Sequence, residues 1–367
     1  MKGTSLVVQG VTTFLVGLLL MSALAAMPGK TAAASVPLPT SAPQPSVDQG
    51  IAVSAEGPVP LAAAAPQQNA RPALQRPAFN PDRVLAHIRV LADEIGSRKA
   101  GSPAEARASN YIATTLRGFG YTPVVSAFPI PGGRSRNVHV VIDGRPRPSA
   151  PGLGKPYLII GAHMDSKWPS PGANDNASGV GVLLELARVW KVSPPPVSAK
   201  LVFFGAEEIV DRNRDHHHYG SRFLAAQTRP GNGLLGMISV DDVGFGRNLH
   251  VRAMGKGPST LWRRLLSVRS AAKLSATFLR DSGWSDHEPF ERLGYPVAWL
   301  QYRSDPANHT RRDASSRIER YHLGTVGRWI LTYFDSLDAA DLKALAMSSP
   351  VLLRLRPAPD PCQCPRG

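Results

Sequence analysis

Cysteine is almost absent from this chain. Only two of its 367 residues are cysteines, Cys362 and Cys364, and both lie in a Pro-rich stretch at the C-terminus. Disulfides form in oxidising compartments, but a Cys-x-Cys pair makes a poor structural staple. We therefore expect free or intermolecular thiols here and no cysteine in the core.

Acidic residues are scarce relative to basic ones. The chain has 27 Asp and Glu against 42 Lys and Arg, which gives a formal net charge of +15. Such a charge can indicate an acidic partner such as nucleic acid or an anionic cell surface. However, no compact Lys/Arg run with interleaved aromatic residues occurs. We interpret the excess charge as a solvated surface and expect no nucleic-acid partner.

Long apolar runs are also missing, apart from one near the N-terminus. It extends from Phe14 to Ala26, follows Lys2, and contains Ala23-Leu24-Ala25, which matches the cleavage pattern of a secretory signal. The run is short for a membrane span. We predict a signal peptide over residues 1–25 and an exported protein that is secreted, periplasmic or at the cell surface. An uncleaved segment would instead act as a membrane anchor.

Ala, Pro, Ser and Gln dominate the next part of the chain, residues 26–78. A segment with few charges and no apolar periodicity cannot bury enough surface to offset its ordering entropy. This composition predicts a disordered tether or a propeptide. The folded domain is then expected over residues 79–342, and residues 343–367 form a Pro-rich tail.

Apolar runs of strand length alternate with helical patterns through the predicted domain. The expected strands are Asn137–Ile142, Leu158–Ile160, Leu201–Phe204, Leu235–Val240, Leu249–Ala253 and Val297–Leu300. The expected helices are 80–95, Pro103–Gly118, Gly179–Trp190, Gly220–Gln227, Ser259–Ala272 and Ile318–Leu337. This alternation predicts an α/β fold, a three-layer αβα sandwich with a mostly parallel sheet covered on both faces.

Histidine and carboxylate residues follow the predicted strands where those strands end. They are His163, Asp165, Glu207, Glu208, Asp241, Asp242 and, after the last strand, His309. The carboxyl ends of parallel strands meet at one edge of a sheet, where ligands bind. Clustered carboxylates would repel one another unless a cation neutralised them. Nitrogen and oxygen ligands without cysteine suit zinc or a similar divalent metal.

Several motifs surround these residues: GAHMDS, GANDNASG, GAEE, Asp241-x-x-Gly244, SDHEPF and NHTRRD. In combination and in this order they resemble the exported di-zinc aminopeptidases of metallopeptidase family M28, which also holds the glutaminyl cyclases. The resemblance covers roughly Asp82 to Leu337. It implies the zinc-exopeptidase fold, whose central sheet is mixed.

The resemblance also implies roles for individual residues. Two zinc ions are expected, and their ligands would be His163, Asp175, Glu208, Asp241 and His309, with Asp175 bridging both ions. Glu207 matches the general base and Asp165 the carboxylate that orients His163. A cis peptide would fall at Asp175-Asn176.

Some assignments leave alternatives. Asp242 competes with Asp241 for the ligand position, although the spacing to Gly244 favours Asp241. Asp165 could be a simple turn residue. Asp286 and His287 in SDHEPF resemble a segment that lines the substrate site, and a structural turn is the other reading.

Two further features depart from the usual family pattern. Asn308 stands where many members carry an aromatic residue that helps to hold the oxyanion, and an amide could donate the same hydrogen bond. An insertion carries the run His216-His217-His218 between Glu208 and Gly220. A His-rich run can bind metal, but an ordinary or pocket-lining loop is the preferred interpretation.

The function expected from this pattern is that of an exported zinc-dependent aminopeptidase. It would hydrolyse the N-terminal residue of peptides with a free N-terminus, through a water shared by two metals and Glu207 as base. The alternative is a glutaminyl cyclase, since HMDSK and VLLELARVW resemble those enzymes, which usually lack the Asn-Asp-Asn triplet and use one zinc. A non-catalytic binding ectodomain is a third possibility, but such relatives lose metal ligands.

Overall fold

The computed structural model of this chain describes residues 76–145, 155–228 and 231–350. The predicted signal peptide, the tether as far as residue 75, and Cys362 and Cys364 lie outside the described residues. Among the residues described, none of the helices combines the length and apolar character needed to cross a membrane.

One sheet of eight strands forms the centre of the described fold. The strands are β1 (Val124–Ile130), β2 (Gly133–Ile142), β3 (Tyr157–His163), β4 (Ser198–Phe204), β5 (Leu234–Val240), β6 (Leu249–Ala253), β7 (Thr277–Arg280) and β8 (Val297–Tyr302). Their order across the sheet is β1-β2-β4-β3-β5-β8-β6-β7. Strands β4, β3, β5 and β8 are parallel, whereas β2 is antiparallel to β1 and β4, and β6 is antiparallel to β8. The predicted mixed, mostly parallel sheet is confirmed.

Helices cover both faces of this sheet. They are α1 (Pro81–Arg89), α2 (Pro103–Gly118), α3 (Gly179–Val192), α4 (Tyr219–Ala226), α5 (Thr260–Ser267), α6 (Glu288–Arg292), α7 (Arg320–Asp335) and α8 (Ala339–Ser348). Side chains of β3 alternate between the two faces, as the period of a strand requires. Leu158 and Ile160 join the apolar cluster under α1, α2, α3 and α7, whereas Ile159 joins a second cluster with Leu224 and Phe290. The three-layer αβα architecture follows.

Local chemistry explains where the first helices begin. Asn80 accepts a hydrogen bond from the backbone nitrogen of Asp82 at 2.8 Å, and Pro81 occupies the first helical position. Ser102 and Pro103 repeat this pattern at the start of α2. A capping side chain satisfies a backbone N–H that the helix leaves unpaired, and proline lacks that N–H. These starts are therefore encoded within a few residues.

Helix α3 lies close against the sheet at its first residue. A Cβ atom at Gly179 would collide with the carbonyl oxygen of Val240, the last residue of β5. Only glycine allows this approach, and it brings the short helical turn Ala173–Ser178 next to the carboxyl ends of the strands.

The packed part of the chain is longer than the predicted domain. Ala78 lies in the predicted tether, yet its carbonyl oxygen accepts a hydrogen bond from Arg188 at 2.9 Å. At the other end, α8 continues to Ser348, past the expected boundary at residue 342, and buries Leu345 and Ala346. Strands β1 and β7 and helix α6 are further elements that the sequence pattern did not predict.

Candidate metal centre

The predicted site residues come from segments that end at one edge of the sheet. His163 is the last residue of β3, Glu207 and Glu208 follow β4, and Asp241 follows β5. The remaining two candidate ligands are Asp175, in the turn before α3, and His309, in the loop after β8. Parallel strands β3, β4, β5 and β8 share this edge, so the topology brings the six side chains together.

Five of these residues form two adjoining groups that share Asp175. In the first group, the Nε2 atom of His163 lies 3.1 Å from Asp175 Oδ1 and 3.3 Å from Asp241 Oδ1. In the second, the Nε2 atom of His309 lies 3.0 Å from Asp175 Oδ2 and 3.2 Å from Glu208 Oε1. Asp175 therefore presents one carboxylate oxygen to each group.

Both groups have the chemistry of a metal site. Each offers one imidazole nitrogen and two carboxylate oxygens within 4.8 Å of one another. Asp241 Oδ1 and Glu208 Oε1 are buried, yet neither accepts a hydrogen bond from any described residue. A buried carboxylate oxygen without a hydrogen-bond donor is costly, and a divalent cation in each group would satisfy the oxygen of that group. The donor set fits zinc.

The charges in the second group also favour a bound cation. Burial alone would lower the pKa of His309, but Asp175 and Glu208 outweigh that effect and raise it to about 11. Such a field stabilises positive charge at this position.

Asp165 supports the first group from behind. It is fully buried, and its two carboxylate oxygens accept hydrogen bonds from the backbone nitrogens of Glu207 and Glu208, each at 3.1 Å. The Nδ1 atom of His163 lies 3.3 Å from the carbonyl oxygen of Asp165 and 3.6 Å from its Oδ1. Asp165 thus orients the histidine through its backbone carbonyl, with its carboxylate close by, and holds the adjacent glutamates through that carboxylate. This arrangement goes beyond that of a simple turn residue.

The Asn-Asp-Asn triplet is held on both sides of Asp175. Asn174 Oδ1 accepts hydrogen bonds from the backbone nitrogens of Gly244 and Phe245 at 2.8 and 2.9 Å. Asn176 donates to the carbonyl oxygen of Val240 at 2.9 Å. The Asp175-Asn176 peptide bond is cis, as the resemblance implied.

Two supporting residues were not singled out in the sequence. Asp313, in NHTRRD, accepts hydrogen bonds from the backbone nitrogens of Asn174 and Asp175. Arg98, in GSRKAG, is fully buried and donates to the carbonyl oxygens of Met164 and Gly172, both at 2.8 Å. The only sequence signal for Asp313 is its place four residues after His309 in NHTRRD, and for Arg98 no local pattern in the sequence indicates its burial.

Glu207 lies beside both groups without belonging to either. Its Oε2 atom is 3.8 Å from His163 Nε2, and its Oε1 atom is 3.1 Å from His218 Nε2. Burial raises the pKa of Glu207 to about 6, although His163 and His218 act to lower it. Glu207 is thus placed next to the two candidate ligand sets and outside both.

Asp242 faces a different set of partners from its neighbour Asp241. Its carboxylate accepts hydrogen bonds from the side-chain amides of Gln301 at 3.0 Å and Asn308 at 3.2 Å. Asp241 instead points at His163 and accepts a hydrogen bond from Ser285 at 2.8 Å. The geometry therefore favours Asp241 as the candidate ligand.

A cavity of about 410 Å³ opens at the two groups. Besides the candidate ligands and Glu207, its wall includes Asn308, His217, His218, Arg252, Trp284 and Trp299. Asn308 is thus at the predicted place, but its amide nitrogen donates to Asp242. The insertion is a pocket-lining loop through His217 and His218, while His216 is directed toward Asp211, 2.7 Å away.

The expectation that Asp286 and His287 line the substrate site needs correction. Both side chains are fully buried, and neither is among the described residues of the cavity wall. His287 stacks on Trp299 with ring centroids 5.5 Å apart. Burial, with a contribution from the charge of Glu207, raises the pKa of Asp286 to about 7. Trp284, just before this motif, lines the cavity instead.

The class of protein that this fold and site define is the zinc-dependent hydrolases with an exopeptidase-type fold. In that class, histidines and carboxylates lie together at the carboxyl edge of a mixed α/β sheet. Residues 137–334 match the sequence model of the family described as Peptidase family M28. The chain belongs to that family.

Individual relatives agree with this family assignment. Over 182 residues the chain is 29% identical to Aminopeptidase YwaD of Bacillus subtilis. The aligned segment covers 46% of this chain and 38% of that protein. The matched segments span 38%, 44% and 57% of the lengths of three curated relatives.

Solved structures share the fold at lower identity. The zinc aminopeptidase BSAP from Bacillus subtilis superposes with a TM-score of 0.62 at 18% identity, covering 73% of this chain and 98% of that one. The glutaminyl cyclase of Tannerella forsythia gives a TM-score of 0.59 at 24% identity, covering 71% of this chain and 100% of that one. The same fold therefore occurs in proteins described by two different activities.

Proposed function

We propose that this chain is an exported zinc-dependent aminopeptidase that removes N-terminal residues from peptides. One observation carries the proposal: Asp175 presents one oxygen to each of two His-carboxylate groups, while Glu207 lies beside them and outside both. Export is proposed from the apolar run and cleavage pattern within residues 1–25.

In this proposal each group holds one zinc ion. His163, Asp175 and Asp241 would hold the first ion, and Asp175, Glu208 and His309 the second. Zinc supplies Lewis-acid chemistry when bound, because it polarises a carbonyl group and lowers the pKa of water.

Glu207 moves the proton in the proposed reaction. Its carboxylate accepts a proton from the attacking water as the new C–O bond forms, and returns it to the nitrogen of the departing amine as the C–N bond breaks. Asp165 holds the backbone of Glu207 in place through its 3.1 Å hydrogen bond. The base therefore acts from a fixed segment at the end of β4.

The cavity supports removal of terminal residues. Its volume of about 410 Å³ lies in the usual range of pockets that enclose a small ligand, which suits the terminal residue of a peptide. Carboxylates on its wall, Asp242 among them, offer acceptors for the free α-amine of a substrate. A peptide with a free N-terminus is the substrate class that this cavity favours.

A glutaminyl cyclase remains the alternative on the same fold. The chain resembles those enzymes locally in HMDSK and VLLELARVW. Against it stands the complete Asn-Asp-Asn triplet, which supplies Asp175 to both groups. A non-catalytic ectodomain is less consistent, because all five candidate ligands are present and gathered together.

Metal analysis combined with two substrates tests the proposal. The purified chain is saturated with zinc, its bound metal is measured by mass spectrometry, and it is given chromogenic aminoacyl substrates and an N-terminal glutamine peptide. We expect about two zinc ions per chain and chelator-sensitive release of N-terminal residues. One bound ion together with ring closure and loss of ammonia would favour the cyclase. No turnover of either substrate would contradict an enzymatic role.

A further inference from the structure

The candidate base Glu207 has a second buried partner outside the metal groups. Its Oε1 atom lies 3.1 Å from His218 Nε2, and the other ring nitrogen of His218 lies 2.8 Å from Glu288 Oε2. The three side chains form a line of contacts that begins at the cavity, and His218 is only 1% exposed. Nothing in the two metal groups requires this arrangement.

Two arginines anchor the far end of the line. Arg292 Nε donates to Glu288 Oε1 at 2.6 Å, and Arg222 Nη2 lies 3.4 Å from Glu288 Oε2. Burial would raise the pKa of Glu288, but the hydrogen bonds from His218 and Arg292 hold it below its usual range. Glu288 therefore stays anionic and fixed.

The imidazole of His218 sits between two carboxylate acceptors. Both ring nitrogens can donate to these carboxylates only when the ring is an imidazolium. Burial alone would lower the pKa of His218, whereas Glu207, Glu288 and Asp286 outweigh it and raise the value to about 9. A buried positive charge consequently abuts the carboxylate of Glu207.

Backbone contacts determine where this ring lies. The insertion returns to the end of β4, where the His218 nitrogen donates to the carbonyl oxygen of Glu207 at 2.8 Å. The next residue, Tyr219, donates to the carbonyl oxygen of Ala206 at 2.9 Å. The ring position is thus tied to the same backbone that carries Glu207.

A third metal ion at this place is a competing explanation. His217, His218 and Glu288 offer ligand atoms within 4.8 Å of one another. However, Arg222 Nη2 lies 3.3 Å from His217 Nε2 and 3.4 Å from Glu288 Oε2. The cationic guanidinium of Arg222 already contacts two of the three candidate ligands, and it would repel another cation.

We propose that His218, anchored by Glu288, is a positioning residue that holds the carboxylate of Glu207 in the orientation in which it takes the proton from water. This inference rests on the proposed function of Glu207 as general base. His218 binds Oε1 and leaves Oε2, the oxygen facing His163, free to receive the proton. His218 keeps its own protons throughout, and no proton passes along the line.

A matched pair of substitutions tests this role. His218 has a φ of 55°, a region that asparagine tolerates, so His218→Asn preserves the backbone while its shorter side chain cannot bridge both carboxylates. His216→Asn is the control, because His216 is in the same run but pairs with Asp211 in the exposed part of the loop. We expect kcat to fall about 10–100-fold in His218→Asn, the usual effect of losing a supporting partner. KM and zinc content should stay close to those of His216→Asn. Because removal of a buried charged partner lowers stability, both variants are assayed below the lower of their two Tm values.

A double substitution separates positioning from general damage. Because His218 acts through Glu207, the variant carrying both Glu207→Gln and His218→Asn should be no slower than Glu207→Gln alone. Glu288→Gln should lower kcat in the same direction as His218→Asn. A further tenfold loss in the double variant would overturn the inference.

Nitrogen NMR of the metal-free protein gives a readout that does not depend on activity. We expect both ring nitrogens of His218 to be protonated at neutral pH, with Glu207→Gln shifting one resonance and Glu288→Gln the other. A neutral His218 ring would overturn the proposal even if His218→Asn failed to fold.

The outcomes distinguish this inference from the proposed function. A wild-type protein without zinc-dependent hydrolysis would refute the proposed function itself. An active wild type in which His218→Asn turns over as fast as His216→Asn would refute only the role of His218. A loss of activity explained by loss of zinc would also count against positioning.

Discussion

The carboxylate of Asp313 accepts a hydrogen bond from the backbone nitrogen of Asp175 at 3.1 Å, across 138 positions of sequence. Its other oxygen accepts one from the backbone nitrogen of Asn174 at 2.7 Å. The turn that carries the shared carboxylate of the site is therefore held by a residue from the loop after β8. This loop also carries His309, so it serves the site twice.

Replacing Asp313 should weaken metal binding. In Asp313→Asn one acceptor oxygen becomes an NH₂ group that faces a backbone N–H, so Asp175 loses part of its support. We expect zinc affinity to fall about 10–100-fold, as measured by competition with a chromogenic chelator. Asp143→Asn is the control, since Asp143 is exposed and pairs with Lys155. Equal affinities in the two variants would contradict this role.

The adjacent glutamates should respond differently to the same substitution. Glu207→Gln removes the proposed proton acceptor but no ligand, so zinc content should stay near wild type while the rate falls about 10²–10⁴-fold. Glu208→Gln weakens a proposed ligand and should lower both zinc occupancy and rate. Metal analysis and kcat are measured on the same samples.

The reverse result would exchange the two roles. If Glu207→Gln lost zinc while Glu208→Gln kept it, the assignment would be wrong for both residues. Unchanged hydrolysis in both variants would remove the catalytic interpretation of the site.

The chain before α1 should contribute to stability through Phe79. This side chain is buried, and its ring lies where a Cβ atom of residue 327 would stand, a place that only Gly327 leaves open. Phe79→Ala should lower the free energy of unfolding by about 3 kcal/mol, measured by urea titration. Tyr321→Ala, at an exposed position, is the control.

We also predict that the tether is dispensable, so a chain starting at Arg76 should retain the stability of the longer protein. It keeps Phe79 and the ion pair between Arg76 and Asp335. Limited proteolysis should trim the preceding segment quickly. If the shorter chain is insoluble while the longer one is soluble, the tether has a structural role.

His87 should make the protein less stable in mild acid. Its Nδ1 atom lies 2.6 Å from the hydroxyl of Tyr111, and burial, together with Arg83, lowers the pKa of His87 to about 4. An unfolded histidine titrates near 6.5, so between these values the unfolded chain binds a proton that the folded one does not. The free energy of unfolding should therefore fall as pH drops through this window.

Urea midpoints at about pH 7 and about pH 5, on either side of the ordinary histidine pKa, measure this effect. His87→Gln should reduce the loss of stability between the two conditions, whereas His216→Gln should leave it unchanged. The same loss in both variants would show that other groups cause the acid sensitivity.

Elements with strong local signals were predicted with their observed limits. The range Pro103–Gly118 was expected for α2 and Leu249–Ala253 for β6, and both agree with the structure. Strand β1 was missed because it is an edge strand with mostly exposed residues, and it contains Pro129, which edge positions tolerate. Helix α6 has only five residues, which is too short to show a helical pattern of apolar residues in the sequence.

The sequence by itself determined which residues are candidates for the chemistry. Most of them follow apolar runs whose ends meet in a parallel sheet, and the family resemblance added Asp175. Only the tertiary structure decided how those residues are used. Asp286 and His287 share a motif with the site but face the interior, whereas His218 reaches Glu207 from an insertion. The direction of a loop side chain depends on partners far away in sequence, as His218 depends on Glu288. The residues next to His218 in the sequence do not indicate such a partner.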